Sequence, residues 1–179
     1  ICFRALAAYR DHGGVAGCHS ITIDKRIPVG AGLGGGSSDA AVILRYLNRT
    51  SPAPLADGRL AEAALSLGAD VPVCLAGIAQ RMQGIGDMLT PVDPVPHGHL
   101  VLARADAMLP TAEVFRSLRE SGSGDAAPLR SSEISGSVAD IVAAGNDLQA
   151  AAMSLSPDID LVLDRLRDGN GVIAAQMSG

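Results

Sequence analysis

A glycine-rich stretch that begins at Gly30, GAGLGGGSSDAA, has the clearest chemical meaning in the chain. Five of the seven residues from Gly30 to Gly36 are glycine. Because a glycine inside a regular element costs roughly 0.5–1 kcal/mol relative to alanine, this concentration needs a reason. A loop without side chains lets phosphates lie against the N–H groups that open a helix, where Ser37 and Ser38 can cap the helix or donate to phosphate oxygens. The pattern therefore favours a phosphate site over a tight turn.

The loop departs from two common nucleotide-binding motifs. Gly30, Gly32 and Gly35 satisfy G-x-G-x-x-G, but the region about 20 residues further on is a loop and not the end of a strand with an acidic residue. The Walker A motif fails because it requires a lysine after its last glycine. We therefore expect the helix dipole, a metal ion and distant cations to neutralise the phosphates. Asp39, in the first helical turn, would repel a polyphosphate and so favours a bound Mg²⁺.

Apolar periodicity predicts the elements that position this loop. We expect a helix over 1–14, a half-buried strand over 19–27 and, after the loop, a helix from about Ser38 to Asn48. A further helix is predicted over 57–68 with Gly68 at its C-terminal end, followed by a segment, 69–77, that fits either a helical turn or a strand.

The second half of the chain begins after a proline-rich segment. Residues 79–92 predict a strand and a turn, and the three prolines of 91–98 indicate a domain boundary that divides 1–96 from 97–179. Beyond it we expect strands over 99–105 and 171–177, and helices over 111–120, 138–153 and 157–168. Strands and helices mix without strict alternation, which indicates an α+β fold.

Composition excludes several classes of function. The 179 residues are 47% hydrophobic and 18% charged with a net charge of −5, which is typical of a globular protein and disfavours general nucleic-acid binding. No apolar run approaches the roughly 20 residues of a membrane span. Three cysteines without a CxxC pair indicate reduced thiols in a cytoplasmic protein, and His97 and His99 lack a third metal ligand. Because Ile1 opens in a helical pattern, we expect a fragment of a longer protein.

The residues 28–41, PVGAGLGGGSSDAA, resemble the second motif of the GHMP kinases, in which Pro-x-x-x-Gly-Leu precedes a short glycine step and two serines. Collinear matches to that family lie at Leu67–Gly77, Gly84–Val92, Thr111–Phe115, Asn146–Ala152 and Met177–Gly179. The resemblance implies an N-terminal domain like ribosomal S5 domain 2, with a left-handed βαβ crossover, and a ferredoxin-like α+β C-terminal domain, both truncated. It also implies that a motif-one lysine and a Tyr-His pair precede Ile1.

The resemblance further implies roles for individual residues. The residues implied to bind ATP are Pro28, Val29, Gly30, Ala31, Gly32, Leu33, Gly34, Gly35, Gly36, Ser37 and Ser38. The family's catalytic aspartate falls on Asp70, which the sequence by itself indicates as an N-cap. Substrate contacts fall on Thr111 and on Phe115, whose ring would stack on cytosine, although its spacing from Leu118 by itself favours a core position. Asn146 and Asp147 begin a predicted helix and could cap it, so we expect them to have a structural role.

The function implied by the resemblance is phosphoryl transfer from ATP with Mg²⁺. The acceptor would be the 2-hydroxyl of a cytidine-diphosphate-linked methylerythritol in non-mevalonate isoprenoid biosynthesis, in the cytoplasm, with no nucleic-acid or membrane partner. We expect the 179 residues by themselves to be inactive or nearly so. Three alternatives stay open: a homoserine- or mevalonate-type kinase, a dinucleotide-binding oxidoreductase, and an RNA-binding module, against which the acidic balance speaks.

Overall fold

The computed structural model describes residues 1–27, 31–93, 97–105, 109–121 and 137–178. The chain divides into two compact units, Ile1–Val92 and Asp93–Gly179. This division falls inside the proline-rich segment, after residue 92, whereas the sequence predicts a boundary after residue 96. The assignment of the two parts to an ATP-binding domain and a C-terminal domain stays a prediction.

The described part of the first unit contains four helices and a β-hairpin. In chain order they are α1 (Cys2–Asp11), α2 (Gly35–Thr50), α3 (Asp57–Leu67), α4 (Val71–Ala76), β1 (Gln80–Gln83) and β2 (Met88–Pro91). The two strands pair antiparallel, with Gln80 opposite Pro91 and Gln83 opposite Met88. The helical predictions over 1–14 and 57–68 are confirmed, the ambiguous segment 69–77 is helical, and β2 is a strand that the sequence analysis missed.

The core of the first unit lies between α1, α2 and α3. Its buried members, most of them small, are Ala5, Ala8, Tyr9, Ala40, Ala41, Leu44, Leu47, Ala63, Ala64, Leu67 and Val71. Alanines bring the helix backbones close together, and the buried Tyr9 fills the remaining space. The Tyr9 hydroxyl donates to Asn48 Oδ1 at 3.1 Å, and the same oxygen accepts from the Leu55 N–H at 2.7 Å. These bonds fix α2, and hence the loop at its start, against α1.

The second unit contains four helices in its described residues. They are α5 (Thr111–Glu120), α6 (Val138–Ala144), α7 (Leu148–Leu155) and α8 (Asp158–Arg167). All lie where helices are predicted, except that α7 extends two residues beyond the predicted end at residue 153. Val114 of α5 packs with Ala151 and Ala152 of α7, and partly buried apolar side chains surround them. Helices and a hairpin together make an α+β fold, as the sequence predicts.

Three of the predicted strands are wrong. The segments 19–27, 99–105 and 171–177 have no strand structure where they are described. A strand needs a hydrogen-bonded neighbour, and the described residues place none beside these segments. Their apolar side chains are correspondingly uncovered, with Leu100 91% and Ile173 83% exposed. Among the described residues, no helix has both the length and the apolar character needed to cross a membrane.

Candidate active site

The described part of the glycine loop turns sharply into α2. Gly32 and Gly34 have φ values of +70° and +64°, in the left-handed region that side chains disfavour. Gly34 is the N-cap of α2, and the Ser38 N–H donates to the Gly34 carbonyl at 2.9 Å. The predicted passage from a glycine loop into a helix is confirmed, although α2 begins at Gly35 and not near Ser38. Pro28, Val29 and Gly30 lie outside the described residues.

The space in front of the loop is open. A Cβ atom placed on Gly34 or Gly35 would meet nothing within 4 Å, and one on Gly36 would meet only Ile1 Cγ2 at 3.8 Å. The N–H groups of the first turn of a helix have no acceptor within the helix, and they carry the positive end of its dipole. The loop therefore has both the donors and the room that a phosphate group needs.

The two serines do not cap the helix. The N-cap position of α2 makes no side-chain hydrogen bond, because the left-handed Gly34 starts the helix three residues before Ser37. Ser37 is half-buried and Ser38 is exposed, both within the helix. The capping prediction is therefore wrong, and their role as donors to phosphate oxygens stays a prediction.

Lys25 is a cation at the loop that the sequence analysis missed. Its ammonium group is paired with the Asp39 carboxylate, and the two side chains are 43% and 33% exposed. Asp39 lies beyond the first turn of α2, since the helix begins earlier than predicted. A lysine just ahead of the loop was the available signal, but its pairing depends on how the loop folds back. The expectation that Asp39 repels phosphates is weakened, because Lys25 neutralises it.

Asp70 is the N-cap residue of α4, as its sequence position indicates, but its side chain makes no capping hydrogen bond. Its backbone carbonyl accepts the first hydrogen bond of the helix from Cys74 N–H at 3.2 Å. The residue is exposed, so its carboxylate is accessible to a ligand. An accessible carboxylate that is not engaged in capping can accept a proton, which keeps the catalytic prediction for Asp70 consistent with the geometry.

The electrostatic surroundings of Asp70 include a thiol and a guanidinium. Burial raises the pKa of the Cys74 thiol, the negative charge of Asp70 raises it further, and the positive charge of Arg45 lowers it. Arg45 reaches α4 from α2: a Cβ on Gly77 would lie 3.1 Å from its terminal nitrogen. Asp70 and Arg45 thus act on the same thiol with opposite sign.

Thr111 and Phe115 lie on α5 in the second unit. Thr111 is the first residue of the helix and is exposed. Phe115 is 44% exposed, while Val114 is buried and Leu118 packs partly against the cluster around it. The core position that the spacing of Phe115 indicates is wrong, because the stripe facing the core runs from Val114 to Leu118. The open ring is consistent with stacking on a ligand base.

The end of the described chain is held by α7. Asn146 Nδ2 donates to the Met177 carbonyl at 2.9 Å, and the Met177 N–H donates to Gln149 Oε1 at 2.9 Å. Asn146 Oδ1 also accepts from the Leu148 N–H at 2.9 Å, which fits the structural role predicted at this helix start. Met177, the first of the residues that resemble a third glycine motif, is therefore anchored through its backbone.

A metal centre built from protein side chains is not found in the described ranges. No group of three or more His, Cys, Asp or Glu side chains there has the arrangement to hold an ion. His97 and His99 are both exposed.

Comparison with known proteins tests the resemblance suggested by the motifs. Residues 1–78 match the sequence model described as GHMP kinases N terminal domain. Residues 1–78 belong to the GHMP kinase family. The match confirms the family predicted from the loop, and this GHMP domain contains the glycine loop, the Lys25–Asp39 pair and Asp70.

Three curated relatives that match along almost the whole chain share one name. The 4-diphosphocytidyl-2-C-methyl-D-erythritol kinase of Rhodospirillum rubrum is 40% identical across 100% of this chain and 59% of its own length. Those of Granulibacter bethesdensis and Deinococcus radiodurans are 42% and 40% identical, across 98% and 99% of this chain and 58% and 60% of theirs. The chain thus spans about three fifths of the length of these curated relatives.

A solved structure shows the same fold. The crystal structure of a 4-(cytidine 5'-diphospho)-2C-methyl-D-erythritol kinase superposes with a TM-score of 0.72 at 33% identity. It covers 99% of this chain, and the chain covers 65% of it.

Proposed function

We propose that the full-length protein carrying this chain transfers the γ-phosphoryl group of ATP to the 2-hydroxyl of 4-diphosphocytidyl-2-C-methyl-D-erythritol, a step of non-mevalonate isoprenoid biosynthesis. One observation carries the proposal: an open glycine cradle begins α2 in a chain that is 40% identical, along its whole length, to a kinase with that substrate in its name. The fold class and the motif order are consistent with it.

The nucleotide would be held through its phosphates. The N–H groups of Gly35, Gly36 and Ser37 open the helix, and the absence of side chains at the two glycines leaves room for a triphosphate against them. Magnesium, when bound with ATP, would supply positive charge that neutralises the phosphates.

Asp70 would act on the acceptor hydroxyl. Its exposed carboxylate, free of a capping bond, orients the hydroxyl and accepts its proton as the new oxygen–phosphorus bond forms. Lys25 keeps the Asp39 carboxylate neutralised, so that the phosphates approach the loop without facing an unpaired negative charge.

Two residues of α5 would contact the cytidine end of the acceptor. Phe115 offers an exposed ring for stacking, and Thr111 offers a hydroxyl at the start of the same helix. Base–aromatic stacking contributes about 1–3 kcal/mol per base, enough to select a pyrimidine substrate over a smaller alcohol.

Substrate comparison tests the proposal. The full-length protein is given MgATP and, separately, the cytidine-diphosphate alcohol, homoserine or mevalonate, and the phosphorylated position is read by ³¹P NMR. We expect turnover with the first acceptor and a new phosphate on its 2-hydroxyl. A higher kcat/KM for homoserine or mevalonate would show that the cytidine-diphosphate alcohol is not the preferred acceptor and would contradict the proposal.

Binding measurements test the remaining alternatives. We expect MgATP binding and neither nicotinamide-dinucleotide binding nor a salt-sensitive gel shift with RNA. Dinucleotide binding without ATP binding would indicate an oxidoreductase instead, and a salt-sensitive shift would indicate an RNA-binding module.

A further inference from the structure

The turn of the β1–β2 hairpin lies directly against the residue before Asp70. A Cβ atom built on Gly86 would come within 2.8 Å of Ala69 Cα and 2.9 Å of the Ala69 carbonyl carbon, and closer still to its oxygen. Real Cβ atoms essentially never approach within 3.0 Å, so the two backbones touch in a way that only glycine permits. The contact is with backbone, which cannot move aside as a flexible side chain can.

The hairpin turn has its own internal support. The Ile85 N–H donates to Asp87 Oδ1 at 3.0 Å, and the Gly86 N–H donates to the Gln83 carbonyl at 3.2 Å. Gly84 and Gly86 take the positive φ values, +66° and +94°, that the turn requires. A turn closed by these bonds and flanked by a paired ladder presents a fixed surface to Ala69.

The segment that carries Asp70 has little support of its own. It consists of Gly68 and Ala69 between α3 and the six-residue α4, and the Asp70 side chain makes no capping bond. A backbone bond from the Val71 N–H to the Gly68 carbonyl, 3.1 Å long, closes the turn. The position of the Asp70 carboxylate therefore depends on what fixes the backbone at Ala69.

We infer that Gly86 is a positioning residue for Asp70. Because Gly86 has no side chain, the hairpin backbone can pack directly against Ala69, and this contact fixes the position of the neighbouring Asp70 carboxylate. The inference rests on the proposed function, because it assumes that Asp70 acts on the acceptor hydroxyl. It also gives a role to the segment GIGD, at 84–87, which the proposed chemistry does not otherwise use.

Two alanine variants with the same backbone strain test the inference in the full-length protein. Gly13 has φ +95°, nearly that of Gly86, but a Cβ there would meet nothing within 4 Å. Gly86→Ala should lower kcat by about 10–100-fold and leave the KM for ATP within about twofold, since small displacements of a reacting group are costly. Gly13→Ala should change kcat less than about threefold. In this chain, Gly86→Ala should also shift the amide resonances of Ala69 and Asp70, and Gly13→Ala should not.

A second variant covers the case in which Gly86→Ala does not fold. Asp87→Ala removes the acceptor of the Ile85 N–H and loosens the turn without adding an atom against Ala69, so kcat should again fall, by about tenfold, at unchanged KM for ATP. Equal kcat values for Gly86→Ala and Gly13→Ala, or an unchanged kcat in a folded Asp87→Ala, would overturn the inference but leave the proposed function standing. An unsubstituted protein without phosphoryl transfer would instead overturn the proposed function, and the inference with it.

Discussion

The ammonium group of Lys25 is paired with the carboxylate of Asp39, 14 residues further along the chain and on the helix that follows the glycine loop. The pair links the segment entering the loop to the helix leaving it. It also places a cation against α2, next to a loop that lacks the lysine of a Walker A motif.

A double-mutant cycle on this pair tests its role in nucleotide binding. Lys25→Gln leaves Asp39 unpaired near the phosphates, so we expect the Kd for MgATP to rise about tenfold, and Lys25→Gln with Asp39→Asn to recover most of that loss. The unfolding free energy should change by less than about 1 kcal/mol, because both side chains are partly exposed. Calorimetric titration measures the Kd for MgATP, and thermal unfolding measures the change in unfolding free energy. No recovery in the double variant would show that Asp39 does not oppose the nucleotide.

Replacement of Asp70 tests the proton-accepting role. Asp70→Asn keeps the size of the side chain but removes its basicity, so kcat for phosphoryl transfer in the full-length protein should fall by about 10²–10⁴-fold. Asp57→Asn is the matched control, since Asp57 is also an exposed aspartate at the start of a helix in the same unit. A loss of less than tenfold in Asp70→Asn would contradict the base role.

The rate at which Cys74 is alkylated depends on the pKa of its thiol, and so on the charges of Asp70 and Arg45. Burial and the Asp70 charge raise the pKa of Cys74, and Arg45 lowers it. At a fixed pH near 8, Asp70→Asn should therefore lower that pKa, increase the thiolate fraction and speed alkylation, while Arg45→Gln should slow it. Mass spectrometry of the Cys74 peptide in a Cys18→Ser background measures both rates. The same direction of change in both variants would show that these charges do not face the thiol.

The stacking role of Phe115 is tested by comparing the KM for the cytidine substrate with the KM for ATP. Phe115→Leu keeps an apolar side chain but loses the flat ring, so the KM for the cytidine substrate should rise about tenfold while that for ATP stays unchanged. Phe3→Leu is the control, because Phe3 is the other phenylalanine of the chain and is 76% exposed. Equal changes in both KM values would indicate that Phe115 has only a packing role.

Helices were predictable from sequence because their signal is local. The apolar spacing within α3 and α8 and the glycine or proline at segment ends define each helix without reference to the rest of the chain. The segment 19–27 has the alternation of a strand, but a strand depends on a partner elsewhere, and its Ile23 is 48% exposed. Alternation alone therefore could not decide whether the segment forms a strand.

The site was predictable in part for the same reason. The glycine spacing locates the loop, but the pairing of Lys25 with Asp39 and the contact of Gly86 with Ala69 depend on how distant segments meet. The start of α2 was placed too late because a left-handed glycine opens it without a side-chain cap, which leaves no residue signal at the boundary.

The central claim is that the N–H groups at the start of α2 bind the triphosphate of ATP. Its most direct test is a titration of the ¹⁵N-labelled full-length protein with MgATP, followed by amide shifts and by calorimetry. We predict measurable heat and saturable shifts at the amides of Gly32–Ser38, with none at Gly145, a glycine of positive φ in the second unit. Absence of heat together with unmoved amides in Gly32–Ser38 would contradict the account.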